Sequence, residues 1–251
     1  MNAEQLKLEN VTVNFNGFHA LDGLQFSVNQ GELRCLIGPN GAGKTTALDV
    51  ICGKTKVSTG NVLFESKSII KLQEHEIARI GIGRKFQIPS VFHELTVREN
   101  LEVAYSKNTS VFSNLFKFGT GEKKDDLERL AEMVNLHNHL DVLAGNLSHG
   151  QTQWLEISLL VAQNPKLILM DEPTAGMTRQ ETHKTAELFL ELKKKHTLVV
   201  VEHDMGFVKE IGDVISVMHQ GKLLAEGSVN EIENNASVQE AYLGSAGITN
   251  A

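Results

Sequence analysis

Cysteine is scarce in this 251-residue chain, which has only Cys35 and Cys52. Two isolated thiols make neither a disulfide framework nor a four-ligand zinc site, so a reduced, cytosolic compartment is expected. Positive charge is also short: 24 Lys and Arg stand against 31 Asp and Glu, a formal net charge of -7. The basic footprint of a nucleic-acid binder is missing, and no nucleic-acid partner is expected. Long apolar runs are missing too. The stretch LVVV at 198–201 is far shorter than the roughly 20 residues a membrane-crossing helix needs. The first ten residues have no basic start followed by an apolar core, so no secretory signal is expected. There are no internal repeats and no low-complexity tracts. What is left is an ordinary globular composition, 41% hydrophobic and 22% charged, at a size suited to one large domain or a core with an insert.

The pattern of apolar residues orders the chain. Leu6, Leu8, Val11, Val13 and Phe15 alternate as a half-buried strand, and Phe26 and Val28 repeat the pattern. ELRCLIG at 32–38 is a continuous apolar strand running into a glycine-rich turn, and KTTALDVICG follows as a helix closed by Gly53. NVLFES at 61–66 is a short strand. EHEIARIGIGRKFQ predicts a helix and then a strand ending at Gln87. From about 96 to 163 the spacing turns helical, with Thr96 and Glu99 placed as a capping box and Leu127, Leu130, Ala131 and Val134 on one helix face. Residues 111–124 read as a surface loop or short helix. KLILMDEP at 166–173 and TLVVVEHD at 197–204 are apolar runs ending in acids, as in strands buried on both faces of a parallel sheet. Between them Thr178 and Glu181 repeat the capping-box spacing. Residues 214–227 read as a hairpin turning at Gln220–Gly221, and 228–244 as helical.

Three clusters carry chemistry. Gly38, Gly43, Lys44 and Thr45 satisfy G-x-x-x-x-G-K-[ST], with the required strand before and helix after. Such glycines let backbone N–H groups curl around phosphates, while the lysine reaches the β- and γ-phosphates and the hydroxyl ligates Mg²⁺. Asp171 and Glu172 end a buried strand; Asp171 is placed to hold Mg²⁺ through water and Glu172 to polarise an attacking water. His203 ends the next strand, where it can contact both a γ-phosphate and that carboxylate; otherwise it is a solvated strand-end histidine. Gln87 could touch the metal and the water. The third cluster, LSHGQTQWLEI at 147–157, is polar and then apolar at helical spacing. Ser148 and Gln151 have capping-box spacing, and Trp154 reads as helix core.

The segments Gly38–Thr46, Gln87, Leu147–Gln151, Leu167–Pro173 and His203, in this order and at these separations, resemble the ATPase subunit of an ATP-binding cassette (ABC) transporter along essentially the whole chain. The resemblance implies an α/β fold: a phosphate-loop core with a mainly parallel sheet, an N-terminal antiparallel part and an inserted helical subdomain. It places the core in 1–88 and 164–251 and the helical subdomain in 89–163 of one domain, 1–251. It implies ATP and Mg²⁺, with Gly38, Pro39, Asn40, Gly41, Ala42, Gly43, Lys44, Thr45 and Thr46 as the phosphate loop and Thr45, Gln87 and Asp171 at the metal. Glu172, His203 and Gln87 are the catalytic set. Ser148, His149, Gly150 and Gln151 stand as the signature that binds the γ-phosphate held by a second subunit, in a homodimer or a heterodimer with a homologous cassette. His149 departs from the commonest signature, which has glycine there; its side chain either adds a donor near the phosphate or faces solvent. The usual Leu-Asp after the catalytic acid is replaced by Met177 and Thr178. Phe15, 29 residues before Lys44, matches an aromatic that stacks on adenine; the rival reading is a core phenylalanine. The implied partners are integral membrane permease subunits, met near Gln87 and the following IPSVFHELT, and indirectly an extracytoplasmic solute-binding protein. The implied location is the cytoplasmic face of the cell membrane. LSHGQTQWLEI, GRKFQIPSVF, AGMT and VEHDMGFV together resemble the urea-type importer ATPases, with branched-chain amino acid importers as the alternative and a soluble iron–sulfur assembly type behind them.

Overall fold

The computed structural model describes residues 3–84, 91–106 and 121–243, apart from the side chains of 106, of 121–126 and of 242 and 243. Contacts divide the chain into two units: 1–82, 166–173 and 190–251 form the first, and 83–165 with 174–189 the second. The sequence reading kept 174–189 with the core. In that segment the Ala175 carbonyl accepts from the His149 ring and the Thr185 hydroxyl accepts from Trp154, contacts well separated in sequence that no local pattern announces.

The first unit opens with two 12-residue strands, β1 (Glu4–Phe15) and β2 (Phe18–Asn29), paired as an antiparallel hairpin. The alternation slips by one residue between Leu8 and Val11, because the register shifts there and Asn10 takes a positive φ of 49°. Both halves of β1 thus keep their apolar side chains in the core, where Leu6, Leu8, Val11 and Val13 pack with Leu21, Leu24 and Val28. β4 (Thr59–Phe64) and the two-residue β5 (Lys67–Ser68) complete a four-stranded sheet in the order β2-β1-β4-β5.

The second sheet is built on the uninterrupted apolar runs. β3 (Leu33–Ile37) and β8 (Thr197–Val201) are buried at every residue, and β7 (Leu167–Asp171) at all but the last. β3 lies parallel to β8 and to β9 (Val214–His219), and β7 lies parallel to β8. The hairpin partner β10 (Lys222–Gly227) flanks β9, and the turn between them sits at Gln220 and Gly221, both with positive φ. The order is β10-β9-β3-β8-β7-β6, where β6 (Ile82–Arg84), following α2 (Glu74–Arg79), is the point at which the chain leaves the unit. The mixed α/β fold with one antiparallel and one mainly parallel sheet is the expected one. The C-terminal helical stretch is broken at Asn234–Asn235 into α8 (Val229–Glu233) and α9 (Ala236–Leu243), after α7 (Met205–Ile211).

In the second unit, α3 (Val97–Ser106) opens with the expected Thr96–Glu99 capping box: Glu99 accepts from Thr96 N at 2.7 Å and Glu99 N donates to Thr96 Oγ1 at 3.2 Å. Asn100, buried, ties the preceding turn by accepting from Phe92 N and donating to the Phe92 and Thr96 carbonyls. α4 (Gly121–Met133) begins inside the stretch read as loop or short helix; the rest of that stretch, 111–120, lies outside the described residues. α5 (His149–Val161) and most of α6 (Arg179–Leu192) complete the unit. The Thr178–Glu181 box at the start of α6 forms as its spacing predicts.

Candidate functional site

The phosphate loop joins the end of β3 to α1 (Lys44–Ile51), and its shape comes from glycine. Gly38 has φ 150°, and a Cβ there would lie 2.2 Å from the Met218 carbonyl oxygen of β9. Gly43 has φ 100° and would place a Cβ 2.5 Å from the Ala20 oxygen. Both positions therefore exclude any side chain, on conformation and on space. The loop is pinned to its neighbours by Ala42, which donates to Pro39 O and accepts from Gly221 N. Gly43 is also the cap of α1, and no side chain bonds the first turn of that helix. The N–H groups of Lys44, Thr45 and Thr46 in the first turn lack intrahelical acceptors by construction, at the positive end of the helix dipole.

Lys44 is buried and curls over its own loop, donating to Gly38 O at 2.7 Å and Pro39 O at 3.1 Å. Burial pulls its ammonium below the ordinary value, against the opposing pull of Glu172 and Asp171. Those two acids, at the end of β7, therefore belong to the same electrostatic site. Glu172 takes a positive φ of 47° and donates its N–H to Val201 O at 2.9 Å, which turns the chain away from the strand. Its Oε1 lies 3.6 Å from His203 Nδ1, and His203 N donates to the buried Glu202 at 3.1 Å. Asp171 and Thr45 offer hard oxygen donors of the kind Mg²⁺ takes, so this donor set fits that ion. Gln87 lies outside the described residues, as do 88–90 of the expected permease-facing segment.

Phe15 is 52% exposed, which removes the core reading. It stands at the end of β1 directly opposite Phe18, which is 65% exposed. Sequence reasoning missed Phe18. Its signal was an aromatic three residues on, beyond an Asn-Gly turn, where strand pairing brings the two rings to one hairpin tip.

Ser148, His149, Gly150 and Gln151 lie in the second unit at the start of α5. The capping box is complete: Gln151 N donates to Ser148 Oγ at 3.3 Å, and Ser148 N donates to Gln151 Oε1 at 2.9 Å. Gly150 is buried, and a Cβ there would strike the Glu181 carboxylate at 2.2 Å. His149 is exposed, one of its two expected courses, yet its Nε2 lies 3.0 Å from the carbonyl oxygen of Ala175, an acceptor, so that nitrogen donates. Trp154 is core, as expected, with Nε1 donating to Thr185 Oγ1 at 2.9 Å. The places of His149 and Glu181 were not legible, because each depends on a contact some 30 residues away in sequence.

In the first unit, then, a glycine-shaped loop carrying Lys44 and a strand-end carboxylate beside a histidine lie at the ends of adjacent strands. A family model described as ABC transporter matches residues 21–175. The chain is 37% identical to the probable branched-chain amino acid transport ATP-binding protein LivG of Archaeoglobus fulgidus, over 95% of each chain. It is 36% identical to the high-affinity LivG protein of Escherichia coli, over 98% of this chain and all of that one. Among solved structures, the ADP conformation of an ATP-binding cassette of an ABC transporter superposes with a TM-score of 0.85 at 36% identity, covering 97% of this chain and 100% of that one. A dimeric, post-hydrolysis cassette bound to ADP and Pi matches with a TM-score of 0.75 at 27% identity, covering 89% of this chain and 98% of that one.

Proposed function

This chain belongs to the ABC transporter family, as an ATP-binding cassette that hydrolyses ATP, and from that premise we propose that it powers an importer of branched-chain amino acids through closure and opening of two cassettes around ATP. The observation that carries the reading is the convergence of Lys44 with Asp171 and Glu172, and of Glu172 with His203, at the ends of three adjacent parallel strands. ATP phosphates lie on the backbone N–H groups of 38–46, with Lys44 exchanging its own loop carbonyls for the β- and γ-phosphates. Mg²⁺, held by Thr45 and Asp171, supplies charge neutralisation there when bound. Glu172 accepts the proton of the attacking water, and His203 orients that carboxylate. Ser148 Oγ and the Gly150 N–H face the γ-phosphate of a second cassette, so each site is complete only in a head-to-tail pair. The relative described as dimeric, with ADP and Pi bound, supports the pairing of two cassettes.

The solute assignment rests on the relatives, which are named for branched-chain amino acid transport and align over nearly the whole chain. It replaces urea, which four short segments had suggested. On this reading the solute is met by other subunits, so local likeness within the cassette carries no information about it. Among the described residues no helix is long and apolar enough to cross a membrane. The channel is therefore assigned to separate permease subunits, with this chain on their cytoplasmic face and a solute-binding protein on the far side.

The test is ATP turnover in proteoliposomes containing the chain, its permease and the binding protein. Stimulation by leucine, isoleucine or valine and not by urea is expected. Stimulation by urea alone would overturn the solute assignment, and turnover indifferent to the permease would overturn the importer reading.

A further inference from the structure

We propose that His149 is a positioning residue that ties the signature turn to the loop following the catalytic carboxylate of its own chain, and so links the two ATP sites of the sandwich. The inference rests on the sandwich reading above. His149 is the first residue of α5, and its backbone lies in the turn assigned to the partner's γ-phosphate. Its ring points elsewhere. Nε2 donates to Ala175 O, and the ring lies over Gly176, where a Cβ would come within 3.1 Å of Nε2. Gly176 has φ 75°, so a side chain there would be strained as well as crowded. A large residue on one side of the contact is thus matched by the absence of one on the other.

Two further contacts make the same loop follow α5. The Glu181 carboxylate accepts from Thr178 N and Thr178 Oγ1 and packs where a Cβ of Gly150 would lie. Trp154 Nε1 donates to Thr185 Oγ1, which lies 3.3 Å from Met177 Sδ. Residues 175–177 are therefore held by α5 directly and through α6. Ala175 is three residues beyond Glu172 along the chain. When the turn at 148–150 engages the partner's nucleotide, the shift passes through the His149 ring to the backbone that carries the chain's own Glu172.

The experiment compares ATP turnover against ATP concentration for wild type, His149→Ala and His149→Gln, together with ATP-induced dimerisation of each in a Glu172→Gln background. His149→Ala should lower kcat about fivefold, the worth of one hydrogen bond, and bring the Hill coefficient toward unity with KM little changed. His149→Gln should restore both, because its amide can donate to the same carbonyl. Unchanged kcat and cooperativity in the alanine variant, or a glutamine variant as impaired as the alanine one, overturns the proposal. Should the alanine variant fold poorly, the cycle of His149→Leu, which removes the donor, with Gly176→Ala serves instead: non-additive losses in kcat support the contact and additive losses refute it. Failure of the sandwich itself reads differently, since Ser148→Arg would then leave ATP-induced dimerisation intact.

Discussion

At the start of α1 the helix is preceded by Gly43 in a left-handed conformation, and no side chain bonds the first turn. At the start of α5, Ser148 and Gln151 bond each other's backbone in a closed box. One helix keeps its donors free for phosphate, and its neighbours forbid any side chain that could satisfy them. The other satisfies its own donors until something better arrives. On the proposed function the two starts have different duties: α1 takes an anion in the single chain, whereas α5 takes one only when a second cassette brings a phosphate that outcompetes Ser148. An empty signature therefore costs the resting chain little, because the Ser148 and Gln151 N–H groups already have acceptors.

The largest effect that sharpens this contrast comes from Glu172→Gln. Removing the base should cost roughly two to four powers of ten in turnover, while both helix starts stay able to bind phosphate. An ATP-bound dimer should accumulate, detectable by size-exclusion chromatography, and near-normal turnover would remove Glu172 as the base. Next, Lys44→Ala should weaken ATP binding on the order of a hundredfold, because charge-assisted bonds to two phosphates are lost from the uncapped site. Titration calorimetry on the monomer reads this. Ser148→Ala should do the reverse, leaving monomer affinity unaltered but lowering stability by about 1 kcal/mol through loss of the α5 cap. An equal loss of ATP affinity in the two variants would break the comparison.

The local parts of this picture were legible from sequence: the glycine-lysine loop, three of the strands that frame it, and the capping boxes at Thr96, Ser148 and Thr178. Each depends on residues within a few positions of one another. The parts that were not legible are long-range. Phe18 reaches the hairpin tip only through strand register, Glu181 reaches Gly150 only through packing of α6 against α5, and His149 finds Ala175 across 26 residues. Lys44 donating to its own loop was also hidden, since the motif describes the lysine with phosphate present. The grouping of 174–189 with the second unit belongs to the same class.

The smallest effect tests whether self-capping is as ordinary elsewhere as it is at α5. Glu99, in the box that opens α3, is held below its usual value of 4.5, first by the Thr96 backbone N–H and then by the Thr96 hydroxyl. Glu231, in the box that opens α8, is lowered in the same way by Ser228. A lowered folded value means that each carboxylate's contribution is fully present above its unfolded value of 4.5 and is lost as pH falls through the folded value. Glu99→Ala and Glu231→Ala should therefore unfold at lower denaturant concentration than wild type at neutral pH, and the gap should close as the pH is lowered beyond 4.5 and through the folded value. α1 has no acid in its first turn, so no matching pH-dependent step should arise from the phosphate-loop helix. A gap that stayed constant across the range would mean that these carboxylates act as bulk and not as charged caps, and the distinction between self-satisfied and ligand-satisfied helix starts would lose its electrostatic basis.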